Sequence, residues 1–303
     1  MEITNNHWAI IINPKSGKKK FRQQRKYLFE TLKHNEIEFD YRVTRFAGHA
    51  SKIAAAFVEQ GYKNIMILGG DGTTSEVING IFSAAIEKTD NLKIALIPRG
   101  TGNVQGEAQK IAVFLKGKTQ TIDVGKVEYD IEGKTEAHYF INSIGLGLDA
   151  AVVNLTHRLK EVVGSHSFLY SVALLMAVFT YRPHKLKIHS DEKTLSHGMY
   201  TMNIANGCYS GGGLKQNPYA LPYDGLLDVM IARTPRFTDI LGALVYLFRG
   251  KLLEHPVIES FRTRELLIQC DKNALMEADG IIVHGFSPFR VKILPNAIQM
   301  IVP

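Results

Sequence analysis

Apolar and polar positions along the first 125 residues follow two alternating periods. Short apolar runs at 8–12, 39–43, 65–68 and 92–97 read as strands. Between them, 21–34, 51–60 and 75–86 carry apolar residues at helical spacing: Tyr27, Leu28 and Leu32, then Ile53, Ala56 and Phe57, then Val77, Ile78, Ile81 and Phe82. This order predicts an α/β domain over 1–124, with a doubly wound, mostly parallel sheet and helices on both faces.

The pattern changes near Asp123. Short strand-like runs at 125–129, 138–143, 185–189, 198–206, 227–232, 266–270 and 289–294 are separated by turn signals such as Glu132-Gly133 and Tyr223-Asp224-Gly225. They predict a second, mostly antiparallel β domain over 125–295, with helices inserted at 165–180 and 237–248. The longest apolar stretch, FLYSVALLMAVF at 168–179, is too short to span a bilayer and reads as a core helix, with a place near the entrance for an apolar substrate as the alternative.

Composition narrows the chemistry. Of 303 residues, 45% are hydrophobic and 21% charged, as in a globular protein. Two distant cysteines, Cys208 and Cys270, fit a reducing compartment, and the N-terminal stretch reads as no signal peptide, so a cytoplasmic protein is expected. The net charge of +7 favours anionic partners: phosphates, an acidic membrane surface or nucleic acid. No zinc-finger spacing or RNA-binding aromatic motif appears, so no nucleic-acid partner is expected. The run Lys18, Lys19, Lys20 reads as a solvated helix start.

Three loops at strand ends carry the candidate chemistry. They are Asn13-Pro14-Lys15-Ser16-Gly17, Gly69-Gly70-Asp71-Gly72-Thr73-Thr74-Ser75, and Pro98-Arg99-Gly100-Thr101-Gly102-Asn103. In a doubly wound sheet such loops share the ligand-binding edge. Glycine lets phosphates approach backbone amides, and a helix N-terminus favours anions. Thr73 and Glu76 match a capping box for the following helix. An ordinary turn remains a rival for Asn13-Pro14, whereas three glycines around Asp71 exceed a turn's needs. Neither a Walker-type loop nor a first-strand G-x-G-x-x-G is present.

In order along nearly the whole chain, these loops, Thr44 with Gly48-His49-Ala50, Glu76 with Asn79-Gly80, Asn217-Pro218, Leu221–Asp228 and Glu277-Ala278-Asp279-Gly280 resemble the diacylglycerol kinase catalytic-domain family, which includes bacterial lipid kinases and sphingosine kinases. The resemblance implies a phosphofructokinase- and NAD kinase-like first domain, a β-sandwich-like second domain and an active site in the cleft between them. It also implies that 296–303 return to the first domain. ATP would be held by Asn13, Pro14, Lys15, Ser16, Gly17, Thr44, Gly69, Gly70, Asp71, Gly72, Thr73, Thr74, Ser75 and Thr101. A structural Mg²⁺ would be bound by Asp224 and the carbonyls of Leu221 and Leu226, where an ordinary turn is the competing reading. Asp71 would organise catalytic Mg²⁺, and Asp279, or else Glu277, would accept the proton of a lipid hydroxyl.

Two departures stand out. The family's Asp-Gly is normally followed by Glu, and here Ile281 follows Gly280. The segment from Asn103 to Gly117-Lys118-Thr119 is shortened. The reading is an ATP- and Mg²⁺-dependent lipid kinase at a membrane surface, with diacylglycerol as the default acceptor and phosphatidate as product. A catalytically impaired nucleotide- or lipid-binding regulator and an NAD kinase are the alternatives, and a homo-oligomer stays open.

Overall fold

The computed structural model describes residues 6–15, 21–98, 111–164, 168–191, 193–210, 215–270 and 275–302. The chain divides into two compact units, Met1–Ile122 with Asn296–Pro303, and Asp123–Pro295.

The first unit contains β1 (Trp8–Ile12), α1 (Phe21–His34), β2 (Phe39–Val43), α2 (His49–Glu59), β3 (Asn64–Gly69), α3 (Asp71–Ser83) and β4 (Lys93–Pro98). The strands are parallel in the order β2-β1-β3-β4, and Gln299 and Met300 add to β4 in parallel. Every residue of β1 and β3 is buried, as expected for central strands covered on both faces. Alternate residues divide between those faces. Trp8, Ile10, Ile12, Met66 and Leu68 join Leu28 and Leu32 of α1 and Ile111 and Phe114 of the helical residues 111–116. Helices α2 and α3 pack on each other closely. A β-carbon on Gly80 would lie 2.1 Å from the Ser51 carbonyl oxygen, so only glycine fits there.

The second unit is mainly antiparallel. It comprises β5 (Thr119–Ile131), β6 (Lys134–Phe140), β7 (Ser143–Gly147), α4 (Leu148–Val163), α5 (Leu169–Thr180), β8 (His184–Ser190), β9 (Thr194–Ala205), β10 (Leu227–Arg233), α6 (Phe237–Phe248), β11 (Ile258–Thr263), β12 (Glu265–Cys270), β13 (Met276–Ala278), β14 (Ile281–Val283) and β15 (Phe286–Ile301), the first and last of which begin or end beyond the unit's bounds. The path β14-β13-β7-β9-β8-β12-β15 forms its frame, and β10 pairs with both β9 and β11. Val127, Ile144, Met202, Val229, Ile268, Phe289 and their neighbours fill its core. A second cluster joins Leu148 and Val152 of α4, Ala173 and Leu174 of α5, and Leu247 of α6.

Two sequence expectations change, and one helix is new. Helix α4 has no counterpart among the elements expected from the sequence; it begins where the run Ser143–Gly147 turns at Gly147, whose φ of 79° disfavours other residues. The apolar helix at 168–179 is not a core helix. It buries only the face carrying Leu169, Ala173, Leu174, Ala177 and Val178. Helix α3 starts at Asp71 with Gly70 as N-cap, not at Ser75, and has no side-chain cap.

Candidate functional site

In the first unit the candidate residues converge at the carboxyl ends of β1 and β3, where the strand order reverses. The Asn13 amide N–H donates to Leu68 O at 3.0 Å, and Thr44 N–H donates to Ile12 O at 2.8 Å. Asn13 Nδ2 donates to Thr73 Oγ1 at 2.8 Å, tying the first loop to the glycine loop. Lys15 N–H returns to Asn13 Oδ1 at 2.9 Å, an Asx-type turn that fixes Pro14 and Lys15. Thr44, Thr73, Thr74 and Ser75 are buried, and Ser75 Oγ has no partner among the described residues.

The glycines of the second loop divide by cause. A β-carbon on Gly69 would collide with Thr73 at 2.6 Å, so its size is set internally. Gly70 has extended backbone, φ −113°, and nothing within 4 Å of a would-be β-carbon. Neither strain nor crowding calls for glycine at 70, which leaves the backbone open to an external group. Asp71 is exposed in the first turn of α3. Ser16, Gly17 and Thr101 lie outside the described residues.

Glu76 corrects the capping expectation. Its Oε1 accepts from Gly48 N–H at 2.8 Å and its Oε2 from Ala50 N–H at 3.1 Å. The carboxylate therefore caps α2, the neighbouring helix, where the positive end of the dipole also favours it.

The second unit holds a buried acid–amide cluster. Asp279, at φ 47°, follows β13 and accepts from Ile141 N–H at 2.8 Å, Asn142 N–H at 2.9 Å and Ser143 N–H at 3.1 Å. Burial pushes its carboxyl up to about 6, and the backbone donors oppose the shift. Glu277 Oε2 accepts from Gly280 N–H at 2.8 Å. Burial holds the Glu277 carboxyl well above its ordinary range.

Asp149, at the start of α4, completes the cluster and was missed in the sequence. Asn203 Nδ2 donates to its Oδ2 at 3.2 Å and Gln216 Nε2 to its Oδ1 at 3.0 Å. Asn217 Nδ2 donates in turn to Asn203 Oδ1 at 2.7 Å. Burial raises the Asp149 carboxyl to about 6. Asp149 and Glu277 meet over Gly145: a β-carbon there would lie 2.5 Å from Asp149 Cβ and 2.6 Å from Glu277 Oε1. Gln216 Oε1 and Asn217 Oδ1 are buried without donors among the described residues. The group thus holds buried acceptor oxygens with unused hydrogen-bonding capacity among the described residues. The only sequence signal was a lone carboxylate inside the apolar run SIGLGLDAAVV.

Asp224 stands apart from this cluster. Its Oδ1 accepts from Leu226 N–H at 3.1 Å and its Oδ2 pairs with Arg262. Gly225, with φ 73°, donates its N–H to Asp123 Oδ2 at 2.7 Å. Carboxylate and backbone carbonyl oxygens, as Asp224, Leu221 and Leu226 carry, are the donor type that Mg²⁺ takes, and the Arg262 guanidinium competes for Asp224.

Comparison with known proteins agrees with both halves. The diacylglycerol kinase catalytic domain matches residues 7–128, and the YegS C-terminal NAD kinase beta sandwich-like domain matches residues 142–302. YtlR of Bacillus subtilis strain 168 is 26% identical over 319 residues, covering 97% of this chain and 99% of that protein. A diacylglycerol kinase of Mycobacterium tuberculosis strain H37Rv is 25% identical over 307 residues, covering 97% and 94%. A crystal structure of a diacylglycerol kinase from Bacillus anthracis strain Sterne superposes with a TM-score of 0.69 at 21% identity, covering 98% of this chain and 97% of that one. At that identity the likeness concerns the fold. With both domain matches in sequence order over most of its length, the chain belongs to the diacylglycerol kinase catalytic-domain family of lipid kinases and is a phosphotransferase.

Proposed function

We propose that the protein transfers the γ-phosphate of ATP to a hydroxyl of a membrane lipid, with diacylglycerol as acceptor, phosphatidate as product and peripheral contact with the lipid surface. The observation that carries this reading is the open backbone at Gly70, beside the N-terminus of α3 and the Asn13–Thr73 hydrogen bond. Amides and a helix end there suit phosphate oxygens. In this reading the nucleotide is held by Asn13–Gly17, Thr44, Gly69–Ser75 and Thr101.

Mg²⁺ would neutralise developing charge on the phosphoryl group when bound, and Asp71 is the exposed carboxylate suited to organise it. A second, structural Mg²⁺ would rest on Asp224 with the Leu221 and Leu226 carbonyls. Asp279 accepts the proton of the attacking hydroxyl. The three backbone donors fix its carboxylate, and with a carboxyl near 6 it is ionised at pH 7.5. Ile281 cannot share that task. The family's β-sandwich partner domain and the buried acceptor oxygens of Asp149, Gln216 and Asn217 support a hydroxyl-bearing acceptor.

The test is an ATP-dependent assay with diacylglycerol, ceramide, sphingosine and NAD as acceptors, with and without EDTA. Diacylglycerol should be phosphorylated, and EDTA should stop turnover. Asp71→Asn should lower kcat by about 100-fold or more while the melting temperature holds. Nucleotide binding without turnover on any lipid would favour the regulatory reading. Formation of NADP would favour an NAD kinase.

A further inference from the structure

Helix α5 is apolar on every side, yet only half of it is covered. Leu169, Ala173, Leu174, Ala177 and Val178 face the core. On the opposite stripe, at helical spacing, lie Phe168, Val172, Leu175, Met176 and Phe179, with Phe168 58% and Phe179 57% exposed. A helix apolar all round belongs in a core or in lipid. At twelve residues α5 does not cross a bilayer, and no described helix is long and apolar enough to do so.

Helix α6 repeats the arrangement. It packs on the same cluster through Ile240, Ala243, Leu244 and Leu247, and exposes Leu241, Val245 and Phe248. Two outward apolar stripes on helices that share one core exceed the scattered apolar exposure of an ordinary surface.

Charge indicates which partner covers them. Exposed Arg182 follows α5 closely, exposed Arg249 is the C-cap of α6, and exposed Arg158 and Lys160 lie in the last turns of α4 beside exposed Glu161. The stretches 162–190 and 240–253, which contain both stripes, have no Asp or Glu. Each helix thus ends in an exposed phenylalanine followed closely by an arginine, Phe179 before Arg182 and Phe248 before Arg249.

We propose that α5 and α6 seat the protein on an anionic bilayer. The Phe, Leu and Met side chains enter the boundary between headgroups and acyl chains, and Arg182, Arg249 and Lys160 meet lipid phosphates. The proposal rests on the lipid-kinase reading only for the presence of a bilayer, so binding is measured without turnover.

The probe is co-sedimentation with phosphatidylcholine vesicles, with and without phosphatidylglycerol. The wild-type protein should bind the phosphatidylglycerol vesicles, more weakly as salt rises. Leu175→Asp with Phe179→Asp should weaken binding by at least about tenfold with an unchanged circular-dichroism melt. Arg182→Glu with Arg249→Glu, which leaves the apolar stripes intact, should abolish the preference for phosphatidylglycerol. With either pair, phosphorylation of diacylglycerol in vesicles should fall about tenfold, while that of a dispersed short-chain diacylglycerol stays at the wild-type rate. Full vesicle binding by the Leu175→Asp, Phe179→Asp protein overturns the proposal. So does self-association, read by sedimentation velocity, that this pair abolishes while vesicle binding persists, which would assign the face to a second copy. Vesicle binding that responds as expected in a protein that phosphorylates no lipid upholds the docking surface and refutes only the kinase assignment.

Discussion

Two acidic residues near the family's Asp-Gly turn divide the work by their surroundings. Asp279 receives three backbone N–H donors, and burial still lifts its carboxyl to about 6. Glu277 has less compensation, lies beside Asp149, and is held well above the ordinary carboxylate range. At pH 7.5 the first is anionic and suited to accept a proton. Burial disfavours the charged form of the second, which makes it the weaker candidate for accepting a proton. Asp279→Asn should therefore lower kcat by about 100-fold, leave the KM for ATP within a few-fold, and remove the limb of the pH–rate profile in which activity rises through about 6. An asparagine there also turns an N–H₂ toward backbone donors, so the melting temperature must be read alongside. Glu277→Gln should keep that limb. If it is Glu277→Gln that loses the limb, the roles are reversed. The family resemblance puts Asp279 first and Glu277 second, and burial and donor count are what distinguish the two in the structure.

At the scale of elements, the sequence showed the strands of the first unit well, because central parallel strands are continuous apolar runs. It showed the second unit less well. Helix α4 begins directly after β7 at Gly147, with no polar spacer to mark the change of period, and the sequence pattern predicts no element there. The three-residue strands β13 and β14 are too short to leave a period. The capping box at Thr73 and Glu76 had the right spacing but the wrong partner, since Glu76 reaches across to α2. Spacing reports what a side chain can reach within its own helix, and tertiary packing decides whether it does. Glu76→Ala should leave two N–H groups at the start of α2 without that acceptor and lower stability by about 1–2 kcal/mol. Glu76→Gln, which keeps one acceptor oxygen, should lose less. Equal losses, read by urea denaturation, would remove the charge from the account.

Over the whole molecule, buried titratable groups pull stability against pH in opposite directions. His138 is pushed down to about 4 by burial, so the unfolded chain binds its proton more readily and this group adds stability as pH rises from about 4 to its ordinary 6.5. Asp149 is raised to about 6 from an ordinary 3.8, so the folded chain binds the extra proton and stability falls as pH rises through that window. The wild-type curve mixes the two, and the informative quantity is the difference from Asp149→Asn. The asparagine can be accommodated. Gln216 Oε1 has no donor among the described residues, and a flip of that amide would let it accept from the new side-chain N–H₂ while Asn203 still donates to the remaining oxygen. Relative to wild type, Asp149→Asn should gain about 2 kcal/mol between pH 4.5 and 7.5, because it no longer has to ionise in the interior. Calorimetric melts at the two pH values measure the gain. A difference that does not change with pH would mean that Asp149 is solvated in the folded protein, and the acceptor-rich cluster would then lose its place in the binding of a lipid hydroxyl.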